Sequence, residues 1–192
     1  MLKTENFEQV PVASADDLRA WLEVHHGQPD SVWIVTFKKH VGAAYVSREA
    51  VLNELLCFGW VDGIRRKLDA DRTMQLASPR QAQHWAKSYK DRAARLIAEG
   101  RMRPPGLAAI EASKASGLWT FMDDVDALVK PDDLEAALAT HSEAARHFDG
   151  FPASSQRFVL RWIKLAKKPE TRRKRIERVA ALAARGERLP GS

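Results

Sequence analysis

The sequence predicts an α+β fold, with a small N-terminal antiparallel sheet and helices followed by an all-helical C-terminal part. The segment SVWIVTFKK (31–39) is rich in β-branched and aromatic residues and is largely apolar on both faces, which is typical of a central strand. Residues 60–79 contain two stretches of strand-like alternation around the turn-prone cluster Asp69-Ala70-Asp71, so they predict a hairpin. After Pro79 the pattern changes to helical periodicity punctuated by proline and glycine.

These patterns divide the chain into three predicted parts: an α+β part over residues 1–80, a helical connector over 81–130 and a basic helical module over 131–192. In the first part, Ser14 is expected to cap a short amphipathic helix, and Ser47 a second helix that ends at Gly59. In the connector, Ser88 with Asp91 three residues later predicts the cap of another helix.

The composition is that of an ordered globular protein, with 45% hydrophobic and 29% charged residues. The single cysteine, Cys57, excludes an intrachain disulfide framework and a Cys-x-x-Cys zinc site. Residues 1–17 lack an apolar signal segment, and no apolar run reaches the roughly 18 residues that span a bilayer. We therefore expect a cytoplasmic protein without membrane insertion.

The positive charge is concentrated near the C-terminus. Twelve Lys and Arg residues against three Glu residues give the segment 157–188 a net charge of +9, whereas the whole chain carries only +6. A basic C-terminal third on a mildly acidic body predicts an anionic partner, either nucleic acid, a phosphorylated ligand or an acidic protein.

The stretch CFGWVDG (57–63) places one carboxylate, Asp62, among apolar and small residues. In an uninterrupted strand, Asp62 would share a face with Trp60 and Arg66, while Arg65 would lie on the opposite face. A carboxylate on the core side of a strand needs a cation or several hydrogen bonds, because burial of an unpaired charge is strongly destabilising.

Four cations lie close enough in sequence to pair with this carboxylate: Arg65, Arg66, Arg80 and Lys87. In the functional interpretation, the carboxylate and its arginines line a cleft that binds a polar ligand or moves protons. In the structural interpretation, Asp62 accepts hydrogen bonds from backbone amides around Gly63 and orders the start of the strand. The candidate ligand-binding residues are Trp60, Asp62, Arg65, Arg66, Arg80, Trp85 and Lys87.

The segment RQAQHWAKSYK (80–90) interleaves basic residues with His84, Trp85 and Tyr89. Aromatic rings beside cations can stack bases or sugars while the cations neutralise phosphate. The alternative is a linker in which Trp85 is an apolar anchor, as most tryptophans in a chain of this size are.

The last predicted helix carries an apolar stripe through Ile176 and Val179 and a dense set of cations. The candidate residues for an anionic partner are Lys167, Lys168, Arg172, Arg173, Lys174 and Arg175. A solvated helix face explains the same charges, and the alanine-rich stripe makes contact with a membrane surface the weakest alternative. The charge suits nucleic acid phosphates, but no base-reading motif accompanies it.

Other catalytic signals are absent from the sequence. It contains no G-x-S-x-G, no glycine-rich phosphate loop and no H-E-x-x-H, so we expect neither a metal nor a cofactor. Cys57 ends an apolar helix and is expected to be a buried, inert thiol.

Several collinear blocks resemble those of a known family: LCFGWVDGIRRKLD, SPRQAQHWAKSYKDRAARLIAEGRM, GLAAIEASKASGLW and RWIKLAKKPETRRKRIERVAALAARGER. They are similar to the YdeI/OmpD-associated family, also called bacteriocin-protection proteins, and the resemblance extends from about Leu18 to Arg188. The sequence departs from the family pattern at Ala86 and Tyr89, where relatives often carry Ser and Asn.

The resemblance implies a short C-terminal helical module and no particular reaction, cofactor or catalytic residue. Together with the charge pattern, it predicts a non-catalytic binding or stress-protection protein that engages an anionic partner. The alternative is a small enzyme with a carboxylate and arginine site around Asp62. The sequence does not determine the oligomeric state.

Overall fold

The computed structural model describes residues 6–192, and the chain divides into one unit that ends at Thr120 and a second that runs from Phe121 to Ser192. The first unit combines a four-stranded sheet with α-helices. Its elements in chain order are β1 (Gln9–Val12), α1 (Ala15–His25), β2 (Val32–Phe37), a 3-10 segment (Lys39–Ala44), α2 (Arg48–Cys57), β3 (Trp60–Lys67), β4 (Arg72–Pro79), α3 (Lys87–Ala98) and α4 (Pro104–Ala115).

The sheet has the strand order β1-β2-β4-β3. Strand β4 pairs in antiparallel fashion with both β2 and β3, so the predicted hairpin is confirmed. Strand β1, however, pairs in parallel with β2, which makes the sheet mixed and corrects the prediction of a purely antiparallel one. The sequence did not indicate β1, because QVPV is only four residues long and contains Pro11, which strands tolerate chiefly at an edge.

Strand β3 is interrupted by a bulge between Asp62 and Arg65. Asp62 lies opposite Ala77 and Arg65 lies opposite Gln75, so two residues of β3 face a single residue of β4. The additional residue reverses the alternation of side chains and places Arg65 on the same face as Asp62. The prediction that Arg66 shares a face of the strand with Asp62 is therefore wrong.

One apolar cluster forms the core of the first unit, and every strand and α-helix described there contributes to it. Trp60 is buried in this cluster, and its indole N–H donates to the carbonyl of His26 at 2.9 Å. Cys57 is also buried, as predicted, and its burial raises the pKa of the thiol. Helices α3 and α4 add Leu96 and Ile110 to the same core, so they belong structurally with the sheet.

Helix α4 begins in direct contact with the end of α2. The amide of Arg103 donates to the carbonyl of Cys57 at 3.0 Å, and a Cβ at Gly106 would overlap that same carbonyl oxygen. Gly59, which follows α2, has φ +73°, and a Cβ there would lie 2.9 Å from the Pro105 carbonyl oxygen. Both positions therefore require the absence of a side chain.

A buried carboxylate links three segments of the first unit. The Glu54 side chain on α2 is only 2% exposed, and it accepts hydrogen bonds from Arg19 at 2.7 Å and from Arg101. Arg19 lies on α1 and also donates to the carbonyl of Arg101 at 3.0 Å. This network joins α1, α2 and the start of the segment that leads into α4.

The second unit is helical throughout its regular structure. Its helices are α5 (Asp123–Asp126), α6 (Asp132–Ala139), α7 (Ala144–Gly150), α8 (Ala153–Lys164) and α9 (Pro169–Ala184). A separate apolar core includes Leu134, Phe148 and Ile163. Over residues 6–192, no helix combines the length and apolar character that a membrane span requires. The predicted boundaries near residues 80 and 130 rest on the sequence pattern alone and stay a prediction.

Replacement of Gly106 by alanine should destabilise the protein, although alanine in a helix is normally better than glycine by up to about 1 kcal/mol. We expect the free energy of unfolding to fall by about 2–3 kcal/mol, because the new Cβ forces the backbone at Cys57 to move. Urea unfolding followed by circular dichroism measures the change. Gly150→Ala is the control, since it has open space around its Cβ and should change stability by less than about 1 kcal/mol. Equal effects of the two substitutions would contradict the close contact.

Glu54→Gln should lower the free energy of unfolding by about 2 kcal/mol, because it leaves two arginines beside a buried neutral amide. The expected cost is below that of a fully buried ion pair, since the arginines retain partial exposure. Glu49→Gln on the same helix is the matched control, because the Glu49 side chain is 67% exposed and should contribute less than about 0.5 kcal/mol. A mild effect of Glu54→Gln, comparable with that control in the same unfolding assay, would mean that the network does not stabilise the fold.

Candidate functional site

Asp62 lies near the start of β3 with its side chain only 9% exposed. One carboxylate oxygen accepts a hydrogen bond from the Tyr89 hydroxyl, and the other lies 3.2 Å from Nη2 of Arg48. Both hydrogen-bond donors to the Asp62 carboxylate are therefore side chains, as the functional interpretation requires. Neither donor was among the four partners that the sequence suggested.

Arg48 and Tyr89 reach Asp62 from the first turns of two different helices. Arg48 is the first residue of α2, whose N-cap Ser47 accepts a hydrogen bond from the amide of Ala50 at 3.1 Å. Helix α3 begins at Lys87 without a side-chain cap, so the predicted capping role of Ser88 is wrong. Because α3 starts earlier than predicted, Ser88 and Tyr89 both lie in its first turn.

A cleft of about 420 Å³ opens beside Asp62. We call it the α2–α3 cleft, and it is lined by Arg48, Glu49, Leu52, Ser88, Tyr89 and Arg92. The Arg48 side chain is 61% exposed even though its partner Asp62 is nearly enclosed. A guanidinium is thus held in a defined position while most of the side chain faces solvent.

The charges of the cleft are mixed. Arg92 donates to the side-chain oxygen of the buried Asn53 and lies 3.5 Å from Glu49. Arg95, one turn later on α3, lies at the same 3.5 Å from Glu49. Glu49 is more exposed than either arginine, so it is available as an acceptor at the mouth of the cleft.

Burial raises the pKa of Tyr89 to about 12, and the hydrogen bond to Asp62 acts in the same direction. The phenol is therefore protonated at neutral pH and donates its proton to Asp62. Its oxygen keeps lone pairs that can accept a hydrogen bond from a ligand.

Arg80 lies directly after β4, where its amide donates to the carbonyl of Gly59 at 2.9 Å. Its guanidinium carbon lies 3.7 Å from the centre of the Trp85 ring and 5.7 Å from the centre of the Tyr89 ring. Trp85 is fully buried, and its indole N–H donates to Ser113 at 2.6 Å. In this structure Trp85 supports Arg80 from the core and offers no exposed face for stacking a base.

The other predicted site residues lie elsewhere in the first unit. Arg65 donates to the Thr73 hydroxyl at 2.9 Å, and Arg66 lies over the Trp33 ring at 5.5 Å. Lys87 forms an ion pair of 2.8 Å with Asp91 on the solvent side of α3. Of the seven predicted residues, Asp62, Arg80 and Trp85 therefore lie together, because Tyr89 contacts both Asp62 and Arg80. The other four lie outside this group: Trp60, Arg65, Arg66 and Lys87.

The predicted basic set near the C-terminus is partly used inside the second unit. Arg172 binds Asp133 with two of its donors, at 2.6 and 2.8 Å. Arg175 donates to the carbonyl of Trp162 while its guanidinium lies over that ring at 4.8 Å. Lys174 pairs with Glu170 at 2.6 Å.

Four members of that basic set lie at the surface, namely Lys167, Lys168, Arg173 and Lys174, whose pair with Glu170 is itself exposed. Arg173 lies 3.7 Å from Glu177 along α9, which is a weak exposed pair. Lys167 and Lys168 are exposed in the segment that joins α8 to α9. Within the predicted set, this smaller group is the part most available to an external anion.

Metal-binding groups are not apparent in the part of the chain that the structure describes, since no three His, Cys, Asp or Glu side chains converge there.

Sequence reasoning missed Arg48, Glu49 and Arg92 as members of the cleft. A weak local signal exists, because Arg48 and Leu52 are four residues apart and Tyr89 and Arg92 are three apart, which places each pair on one face of its helix. Nothing in either helix indicates that the two faces meet. The cleft therefore required the tertiary structure.

Asp62→Asn should lower the pKa of Tyr89 toward its ordinary value of 10.0, although burial keeps it above that value. In a Tyr45→Phe background Tyr89 is the remaining tyrosine, and phenolate absorbance reports its ionisation directly. Because the folded-state pKa is raised, the Tyr89 contribution to stability is present below pH 10.0 and is lost as the pH rises through about 12. In the Asp62→Asn variant this loss should be smaller and should be complete at a lower pH. An unchanged titration would show that Asp62 does not hold the phenol.

Two family models match this chain. Residues 10–109, more than half of the chain, match the family described as Domain of unknown function (DUF8412). Residues 127–186 match the family described as Bacteriocin-protection, YdeI or OmpD-Associated. The first match lies within the first unit and the second within the second unit. No curated protein and no solved structure matches the chain.

The resemblance noted in the sequence is therefore confirmed over the C-terminal module, whereas the N-terminal half matches a separate family of unknown function. The chain belongs to the DUF8412 family, and its residues 127–186 match the Bacteriocin-protection, YdeI or OmpD-Associated family.

Proposed function

We propose that this chain is a non-catalytic binding protein that holds a small phosphorylated ligand in the α2–α3 cleft. The sequence left three kinds of anionic partner open, namely nucleic acid, a phosphorylated ligand and an acidic protein. The second is favoured because the cavity beside Asp62 is a cleft of ligand size with arginines in its wall. The proposal keeps the cytoplasmic location and the protective role that the sequence predicts.

The position of Arg48 carries the proposal. Its guanidinium is anchored on Asp62 at 3.2 Å, yet 61% of the side chain is exposed at the cleft. An arginine that is already oriented loses little conformational freedom on binding a phosphate, so more of the interaction is retained as affinity. Arg92 supplies a second fixed guanidinium, since the buried Asn53 accepts from it.

The helix termini support an anion at the same place. Arg48 and Glu49 belong to the first turn of α2, and Ser88 and Tyr89 belong to the first turn of α3. The first turn of a helix has backbone N–H groups without intrahelical acceptors and carries a partial positive charge. The amides of Ala50 and Tyr89 in these turns already donate to Ser47 and Ala86, so it is the partial positive charge of the two turns that adds to the guanidinium groups.

The remaining groups of the cleft select the body of the ligand. Glu49 and the Tyr89 oxygen accept hydrogen bonds, and the Ser88 hydroxyl can donate or accept. Hydroxyl groups of a sugar or polyol would satisfy these acceptors once the phosphate is bound by the arginines. A phosphorylated sugar or polyol therefore fits the mixed charge better than a simple phosphate ion.

The enzyme alternative rests on the hydrogen bond between Asp62 and Tyr89. A proton shared by a carboxylate and a phenol could serve acid or base chemistry. However, the phenol proton is already donated to one oxygen of Asp62, and the other oxygen is engaged by Arg48. The binding function uses the observed contacts without rearrangement, so we prefer it.

A thermal-shift screen of phosphorylated sugars and polyols, with the parent sugars as neutral probes, tests the proposal. Phosphorylated probes should stabilise the wild-type protein, because they bind only its folded state. Arg48→Met should weaken binding by roughly 10–100-fold in calorimetry, which corresponds to the loss of a charged hydrogen bond of about 1.5–3 kcal/mol. Asp62→Asn should give a smaller loss, since Arg48 remains but is no longer anchored.

Arg65→Met is the matched control, because this arginine is exposed on β3 and lies outside the cleft. It should bind the probes as tightly as the wild-type protein. Equal losses in Arg48→Met and Arg65→Met would indicate general electrostatic attraction and would defeat the proposal. Binding of a single-stranded oligonucleotide that depends on Lys167 and Lys168, without binding of any phosphorylated metabolite, would also defeat it.

A further inference from the structure

Arg80 is a half-buried cation without an acidic partner. Its Nε–H is fully enclosed and has no hydrogen-bond acceptor. Among residues 6–192, no carboxylate forms an ion pair with its guanidinium. Most buried cations in proteins are paired, because removal of a charge from water is costly unless an opposite charge or several hydrogen bonds replace the lost hydration.

The surroundings of Arg80 compensate this charge only in part. Burial lowers the pKa of the guanidinium to about 10, which reflects the loss of hydration. The Trp85 ring at 3.7 Å supports the cation through its π-electrons, and Tyr89 lies farther away at 5.7 Å. A ring face accepts no conventional hydrogen bond from the edge of a guanidinium, so the donors in its plane still require acceptors.

A cavity of about 180 Å³ lies next to this cation. We call it the Arg80 cavity; the side chains of Ala109, Ala112 and Leu118 form its apolar wall, with Gln81 and Ser116 at its polar side. Arg80 is the single charged residue in the described lining, so the cavity has a net positive charge and no acid to neutralise it.

Ser113 also borders the Arg80 cavity, but its hydroxyl is already committed. It accepts from the Trp85 indole at 2.6 Å and donates to the Ala109 carbonyl at 2.9 Å. The arginine is therefore the principal polar group that the cavity offers to a ligand.

We propose that the Arg80 cavity binds a small monocarboxylate with an apolar body. A planar carboxylate can accept from the terminal N–H groups of the guanidinium, since Nε–H is enclosed, and it neutralises the single charge. The alanine and leucine wall suits a short aliphatic or aromatic group rather than a second charge. A doubly charged phosphate would exceed the charge of the site, which distinguishes this ligand from the phosphorylated one of the α2–α3 cleft.

The two sites are separate but adjacent. Tyr89 lines the α2–α3 cleft, and its ring lies beside the cation of the Arg80 cavity. No residue in the described linings is shared by both cavities, so a substitution in one leaves the lining of the other intact. The proposal of a carboxylate site can therefore be tested independently of the proposed function.

Butyrate and benzoate are suitable probes, and butyramide and benzamide are their neutral controls at constant ionic strength. The indole N–H signal of Trp85 in a nitrogen–proton correlation spectrum reports binding, because the Trp85 ring contacts Arg80 and its N–H donates to Ser113 at the cavity border. The carboxylates should shift this signal in a saturable manner and raise the melting temperature, whereas the amides should do neither. Equal responses to amides and carboxylates, or no response to any carboxylate, would overturn the proposal.

Arg80→Met removes the charge and retains an unbranched side chain over Trp85. It should weaken carboxylate binding at least about tenfold, whereas Arg65→Met, at an exposed arginine outside both cavities, should leave it unchanged. Ala112→Leu provides a second variant that keeps Arg80 and fills the cavity from the exposed side of α4. Loss of binding in this variant supports the cavity even if Arg80→Met folds poorly. Carboxylate binding that persists in Ala112→Leu and in Arg80→Met would show that Arg80 is only a structural partner of Trp85.

Discussion

The Asp62 carboxylate ties the sheet of the first unit to two of its helices. It projects from β3, and its two donors come from the first residue of α2 and from the first turn of α3. A carboxylate this enclosed needs both donors, because removal of either would leave part of its charge without compensation. Because Asp62 binds both side chains, it fixes the position of Arg48 relative to Tyr89. The α2–α3 cleft lies between the first turns of the two helices to which these residues belong.

Tyr89 connects this interaction to the rest of the site. Its hydroxyl is committed to Asp62, while its ring lies beside Arg80, which in turn lies on Trp85. The α2–α3 cleft and the Arg80 cavity border these residues, and the two differ in charge. The α2–α3 cleft contains two arginines with a glutamate, whereas the Arg80 cavity contains one uncompensated cation against apolar walls. This difference in electrostatics is the reason that we assign them ligands of different chemistry.

A residue of the candidate site could be predicted only where the sequence immediately around it carries a recognisable pattern. A lone carboxylate in the apolar stretch around Asp62 and a cation near Trp85 are visible in a short segment, and the structure brings these residues together. Arg48 carries no such signal, because it is an ordinary first-turn residue until the fold places it 3.2 Å from Asp62. The basic C-terminal segment gave the opposite result. Its charge is evident in the sequence, but Arg172 and Arg175 are bound within the second unit.

By itself, the sequence determined the α+β class, the central strand, the hairpin, the helical second half and the family that the C-terminal module resembles. These features depend on periodicity, caps and turn residues that lie within a few positions of each other. Only the tertiary structure decided that β1 joins the sheet in parallel, that a bulge turns Arg66 away from Asp62, and that Arg48 and Tyr89 complete the site. The reason is physical: a bulge of one residue reverses every later side chain of a strand, and contacts between segments 14 to 27 residues apart depend on packing that no local pattern specifies.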